Sequence, residues 1–300
     1  MTTLQRQALT DLAKPETLPD PYPVLAGLRE ASPFAEFDGT LVVVGRHADI
    51  SAVLRDPNAS SERGKSLLAA GDSRRRNVDR PSFLSLDPPD HTRLRRLVSK
   101  AFTPRTIARL EPRIRAITGE LLSNAASAGQ LEVVSQLAYP LPVRIISELL
   151  GVPVSDHPRF AGWSARLAHS LQPGFGAARE VAQARAAAAD SASEEFAAYF
   201  RELIALRRAR PEPDLLSAMI AAEDSGDQLT EDELIATCVL LLVAGHETTV
   251  GLISNAILAL LRHPEQLALL RSHPELAADA VEETLRYDAP VQLTGRVARG

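Results

Sequence analysis

Residues 244–249, Ala-Gly-His-Glu-Thr-Thr, put an imidazole, a carboxylate and two hydroxyls inside the most apolar stretch of the chain, Leu234–Leu261. A carboxylate there is costly unless it has a partner or a task, and a glycine in a helix interior costs about 1 kcal/mol against alanine. At roughly 100° per residue, Leu240, Ala244 and Thr248 share one face. Small Ala244 and Gly245 let a flat ligand come close, Thr248 presents a hydroxyl to it, and Glu247 beside them can carry a proton. Such a helix has something lying against it, or its hydrogen-bond ladder opens locally. The plainer reading is a glycine-containing core helix with back-bonded threonines. A zinc-protease pattern is excluded, because Val250 stands where the second histidine would be.

Two further clusters carry charge in helical register. In residues 86–102, Leu94, Leu97, Val98, Ala101 and Phe102 form an apolar face, and Arg93, Arg96 and Lys100 gather opposite it. His91 and Arg95 fall on the edge of the apolar face, where a cation needs an anion to meet. A solvated helix whose Arg95 snorkels accounts for the same residues. In residues 280–290, Glu283 and Arg286 stand three apart, opposite Ala277, Val281 and Leu285; spacing alone makes them no more than an exposed ion pair.

The elements that must position these groups are almost all helical. Helical patterns run over Ala48–Arg55, Asp90–Phe102, Arg105–Ala125, Pro142–Leu150 (closed by Gly151), Asp156–Leu171, Ala177–Arg208, Leu215–Ala222 and Glu231–Arg262. Two more open with Pro264 and Pro274. Thr230-Glu-Asp-Glu233 is a capping box that fixes the start of the long helix. Asp38-Gly39 between Phe34–Phe37 and Thr40–Gly45 is the strongest short hairpin signal in the chain. Ser60–Phe83, with Arg74-Arg75-Arg76, reads as a mobile loop. No repeat and no long linker is visible, so the expectation is a single domain over residues 1–300, mainly α with a small β region.

Composition narrows the classes. The 300 residues carry a formal net charge of −5, which speaks against a nucleic-acid partner. A single cysteine excludes an internal disulfide framework and any all-cysteine metal site. The N-terminus has no basic start followed by an apolar core, and the apolar run before Gly245 is about half the roughly 20 residues that span a bilayer. The reading is a cytoplasmic protein with no membrane partner.

Taken together and in order, the three clusters resemble the bacterial soluble class of cytochrome P-450 monooxygenases. AGHETT (244–249) is similar to the family's oxygen-activation motif, HTRLR (91–95) to its haem-propionate motif, and ETLR (283–286) to its Glu-x-x-Arg pair. YPLPVRIISELLGVP (139–153) and GRVA (295–298) support the likeness, which extends along essentially the whole chain.

The resemblance implies the cytochrome P-450 fold, incomplete at the C-terminus, and a haem b cofactor (iron protoporphyrin IX). It implies insertion of one atom of O2 into an apolar small molecule, with electrons from a ferredoxin or flavodoxin. By it, His91, Arg95 and Arg296 would bind the haem propionates, and Ala244 and Gly245 would approach the distal haem face. Thr248 and Glu247 would support proton delivery, Leu240 and Val243 would line the substrate pocket, and Glu283 and Arg286 would brace the core. The cationic face of Arg93, Arg96 and Lys100 suggests a docking patch for the acidic electron donor. The loop Ser60–Phe83 and helices within Asp156–Arg208, with Phe160, Trp163, Leu167, Leu171 and Phe175, would form the pocket lid.

In this family a cysteine thiolate from a late glycine-rich loop holds the iron and pushes electron density toward O–O cleavage. The sole cysteine here, Cys238, lies on the central helix about two turns before Ala244, on the distal side, so it does not fit as the ligand, and this chain supplies no metal-ligating residue. The expectation is a C-terminally truncated member, inactive as 300 residues alone. The alternative is a non-catalytic, haem-free helical remnant that binds a partner or an apolar ligand.

Overall fold

The computed structural model describes residues 11–299 apart from 13, 15, 18, 32–33, 38–40, 63–81, 172–178 and 225. Helix α1 (Tyr22–Ala31) leads to β1 (Phe34–Phe37), β2 (Leu41–Val44), α2 (His47–Arg55) and β3 (Ala59–Ser60). Next come α3 (Asp90–Ala101), α4 (Pro104–Ala108), α5 (Leu110–Ala128), α6 (Pro140–Leu149), α7 (His157–Leu171), α8 (Arg179–Ala209) and α9 (Leu215–Ala221). Strands β4 (Glu223–Asp224) and β5 (Asp227–Gln228) precede α10 (Glu231–Arg262), α11 (Pro264–Ser272), α12 (Ala277–Tyr287) and β6 (Val297–Ala298). The chain is thus mainly α with a small β content. It divides into two compact units, one of Met1–His91, Ser170–Ala188 and Gly295–Gly300, the other of Thr92–His169 and Ala189–Thr294.

In the first unit β1 and β2 pair antiparallel from Phe34↔Val44 to Phe37↔Leu41, the hairpin that Asp38-Gly39 predicts. The turn itself lies outside the described residues, as does nearly all of the expected Ser60–Phe83 loop. Strands β3 and β6 pair Ala59 with Ala298 and Ser60 with Val297. No local pattern announces a two-residue pairing between such distant segments.

The Asp87 carboxylate fastens this pairing. It accepts from the Ser60 hydroxyl, from the Ser61 N–H at 2.8 Å and from the Arg299 guanidinium at 2.5 Å. Burial alone would push its pKa up, but these three donors hold it below the usual carboxylate range. A depressed folded pKa makes its stabilisation present above the unfolded value and lost as pH falls through the folded one. Asp87→Asn is therefore expected to cost about 1–3 kcal/mol near neutrality and progressively less in acid. Denaturation midpoints measured against pH check this; parallel curves for the two proteins would remove Asp87 from that role.

In the second unit α10 is the central element. The Thr230 hydroxyl accepts from the Glu233 N–H at 3.3 Å and the Glu233 carboxylate accepts from the Thr230 N–H at 2.9 Å, which completes the predicted capping box. The helix is long and apolar enough to cross a membrane, yet half of its most apolar window is buried by its neighbours. It packs on α6, on α9, α11 and α12, and on a π-turn at Val134–Ala138. The π-turn is closed by the Tyr139 N–H donating to the Val134 carbonyl at 2.8 Å. Gly251 lets Pro290 lie against α10, since a Cβ there would come within 2.9 Å of the proline Cβ.

Helix α7 packs on α8 through aromatic rings. Phe160 lies 5.3 Å from both Trp163 and Phe196 and 5.8 Å from Phe200, centroid to centroid. Phe160, Trp163, Phe196 and Phe200 are all buried. Phe160 and Trp163, two of the apolar residues in the expected lid helices, thus form the core that joins α7 to α8. Phe175 lies outside the described residues.

Candidate functional site

The stretch Ala244–Thr249 sits in the middle of α10, which runs unbroken from Glu231 to Arg262, so the ladder does not open at Gly245. A side chain does lie against the glycine: a Cβ there would stand 3.4 Å from Ile146 of α6. The Thr248 hydroxyl donates to the Ala244 carbonyl at 2.6 Å, the back-bond of a helical threonine. The two sides of α10 differ. Leu242, His246 and Val250, one turn apart, are buried. Ala244, on the stripe nearly opposite, is exposed, and Leu240, Val243, Gly245 and Thr248 are half-buried. A small-residue surface with a hydroxyl on it is thereby left open while the reverse side is fixed in the core.

His246 is the residue that sequence reasoning passes over. It is 1 % exposed, and its Nδ1 lies 3.0 Å from the Ser164 hydroxyl of α7. Burial lowers its pKa to about 4, so the ring is neutral near pH 7. Its place one turn from Leu242 and Val250 is the signal that could have found it. Glu247, next to it, keeps about a third of its side chain exposed, with Oε1 3.6 Å from His246 Nδ1. Burial, and then the charge of Glu247, pushes the Tyr139 phenol up.

On α3, His91 is half-buried with its ring 6.4 Å from that of Phe83, and Arg95 is exposed. Arg296 is exposed and donates to the Gly295 carbonyl at 2.9 Å. Arg93 departs from the expected docking face. It bonds the Glu233 carboxylate of the capping box and lies 3.3 Å from Asp227, so its charge is spent on tying α3 to the start of α10. Arg96 and Lys100 remain exposed.

Glu283 and Arg286 pair bidentately at 2.6 and 2.7 Å on the exposed surface of α12, and the arginine holds the carboxyl below its usual range. Val281 and Leu285 are exposed as well; the buried member of α12 is Thr284. A cavity of about 410 Å³ opens between α10, α11 and α12, and of the candidate residues only Glu283 lines it. Cys238 is fully buried, and burial together with the charge of Asp214 pushes its thiol far up, which keeps it a neutral thiol.

A family model for cytochrome P450 matches residues 38–273. The cytochrome P450 CYP107DY1 of Priestia megaterium is 38 % identical, over 98 % of this chain and 74 % of its own length. A vitamin D(3) 25-hydroxylase of Pseudonocardia autotrophica is also 38 % identical, over 91 % of this chain and 65 % of that enzyme. Among solved structures, ligand-free CYP164A2 of Mycobacterium smegmatis is 46 % identical with a TM-score of 0.86, covering 98 % of this chain and 73 % of that one. The chain thus spans about three quarters of that structure, and 60 % of cytochrome P450 107B1 of Saccharopolyspora erythraea.

Proposed function

Since the chain belongs to the cytochrome P450 family of haem-dependent monooxygenases, we propose that it serves to insert one oxygen atom from O2 into an apolar small molecule. Electrons come from a ferredoxin or flavodoxin, in the cytoplasm. The observation that carries this reading is the open stripe of α10, where exposed Ala244 lies one turn from the Thr248 hydroxyl and Glu247 follows the buried His246. Residues 1–300 are read as one cytochrome P450 domain, which the 98 % coverage by a solved relative supports.

His91, Arg95 and Arg296, each taken by itself, are half-buried or exposed and can offer a charge-assisted hydrogen bond to a propionate of haem b. Cys238 does not fit the axial position, because it is sealed in the core. When bound, the haem supplies the oxygen-activating chemistry. Exposed Ala244 leaves room for it, whereas Gly245 makes space for Ile146 of α6, and Leu240 and Val243 contribute apolar surface to the substrate side. The Thr248 hydroxyl, now turned onto the Ala244 carbonyl, holds a proton at Oγ1 that rotation about χ1 presents outward; the half-exposed Glu247 carboxylate replenishes it from solvent. Glu283 and Arg286 act structurally.

Haem titrated into the chain and followed by its absorbance tests the cationic residues. Arg95→Ala and His91→Ala are each expected to weaken retention by roughly tenfold, the worth of about 1.5 kcal/mol in a charge-assisted hydrogen bond. Unchanged affinity in both would overturn their assignment. For the protein expressed from its entire reading frame, a reduced carbon-monoxide difference spectrum should show a thiolate-type Soret shift, and its absence would defeat the monooxygenase reading.

A further inference from the structure

His246 sits where three segments meet, and none of the chemistry assigned above uses it. Ser164 of α7, itself 1 % exposed, reaches its Nδ1 at 3.0 Å. Tyr139, delivered by the π-turn, stands edge-on to the imidazole with centroids 4.5 Å apart at 78°. The Tyr139 hydroxyl in turn donates to the Ala161 carbonyl of α7 at 3.1 Å. The carboxylate of Glu247 is 3.6 Å from Nδ1, and the other ring nitrogen, Nε2, is buried with no hydrogen-bond partner among the described residues. Two polar contacts therefore run from α7 to this node, one ending on His246 and the other on the tyrosine packed against it.

A phenylalanine would fill the same space without burying an unpaired nitrogen, whose desolvation is a cost. That cost is offset by the one thing the imidazole does that a phenyl ring cannot, which is to hydrogen-bond the Ser164 hydroxyl. We propose that His246 is a positioning residue: its neutral ring, through Ser164, clamps α7 to the turn of α10 that carries Glu247 and Thr248. What the clamp serves rests on the monooxygenase reading, since it holds that turn still while a proton passes along it. The clamp itself does not.

Protonation works against it. An imidazolium would reverse the Ser164 bond, its Nδ1–H donating to the hydroxyl oxygen, and would bury a charge that Tyr139, Ser164 and Glu247 face among the described residues. The folded ring resists protonation down to about pH 4, whereas an imidazole in the unfolded chain takes up its proton near 6.5. Stability contributed at this site is therefore complete above about 6.5 and is lost as pH falls from there toward 4.

The only tryptophan of the chain reports on the clamp. Trp163 precedes Ser164 on α7 and is buried; its Nε1–H donates to Glu195 at 2.5 Å. Arg166 holds that carboxyl at a pKa of about 2, so it stays charged throughout. Trp163 emission of the 300-residue chain, without haem, is followed from pH 7 to 3.5 alongside far-ultraviolet circular dichroism. The unsubstituted chain should show an emission step centred near pH 4–5. His246→Gln, an uncharged acceptor, should keep the pH 7 emission and lose the step. Ser164→Ala should retain its helix content and shift the emission already at pH 7. Coincident pH curves for the unsubstituted chain and His246→Gln, or unaltered emission in Ser164→Ala, would overturn the clamp. Neither result touches the monooxygenase reading, which stands or falls on the carbon-monoxide spectrum.

Discussion

Gly151→Ala is expected to lower the stability of the fold by about 3–5 kcal/mol, the cost of breaking a buried ion pair, read as a reduced midpoint in chemical denaturation. Gly151 ends α6 at φ +72°. Its N–H donates to the Glu148 carbonyl at 3.1 Å and that of Val152 to the Ser147 carbonyl at 2.8 Å, the two bonds of a Schellman motif. A left-handed position costs a non-glycine residue about 1–2 kcal/mol by itself. Here a methyl group would also run into the Asp214 carboxylate and come within 2.8 Å of Arg207 Nη2. That carboxylate pairs with Arg207 Nε at 2.5 Å and accepts the Ser217 N–H at 2.7 Å to cap α9, while Arg207 Nη2 donates to the Gly151 carbonyl at 2.8 Å. With side chains 12 % and 7 % exposed, neither partner can retreat into water. Gly129 is the control. It closes α5 at φ +69°, and a methyl group added there would meet nothing within 4 Å among the described residues, so Gly129→Ala should cost only the backbone strain, about 1–2 kcal/mol. Equal losses at the two glycines would show that strain alone, and not the Arg207–Asp214 pair, governs Gly151.

The difference between those glycines marks what a sequence conveys. Gly151 after an amphipathic run is a local signal, and it gives the end of α6 to within a residue. The capping box gives the first residue of α10 for the same reason, since cap, helix and partner lie within four positions of each other. That Asp214 and Arg207 converge on Gly151 depends on how α6, α8 and α9 pack, which no short window carries. The π-turn likewise has no periodic signature, so its delivery of Tyr139 to His246 lies out of reach of the sequence. By composition Phe160 and Trp163 read only as apolar; that they meet α8 is tertiary information. Residues 244–249 can be read as a site because their chemistry is odd for a buried helix. His246 within them cannot, because a buried histidine acquires meaning only from what meets it.

Arg93 shows the same limit, and charge reversal there should be felt as lost stability and not as slowed electron transfer. By periodicity it belongs with Arg96 and Lys100 on a cationic face. In the fold its guanidinium bonds Glu233, which also accepts from the Thr230 N–H, and lies 3.3 Å from Asp227. Glu233 and Asp227 raise the arginine pKa further, and its side chain is only 29 % exposed. Arg93→Glu would replace this with a third carboxylate among Asp227 and Glu233, beside Glu231 and Asp232 of the same first turn. Like charges at this spacing repel, and the capping glutamate would be driven from its post. The combined loss is expected to be about 2 kcal/mol, between the worth of an exposed pair and the cost of breaking a buried one. Arg96→Glu and Lys100→Glu, on the exposed side of α3, should each cost no more than about 1 kcal/mol, the upper worth of an exposed ion pair. Denaturation of the three variants decides between the two views of this helix. Similar small losses in all three would restore Arg93 to the solvent face, whereas a large loss at Arg93 alone leaves Arg96 and Lys100, exposed on α3, as the residues at which an acidic electron donor is best tested.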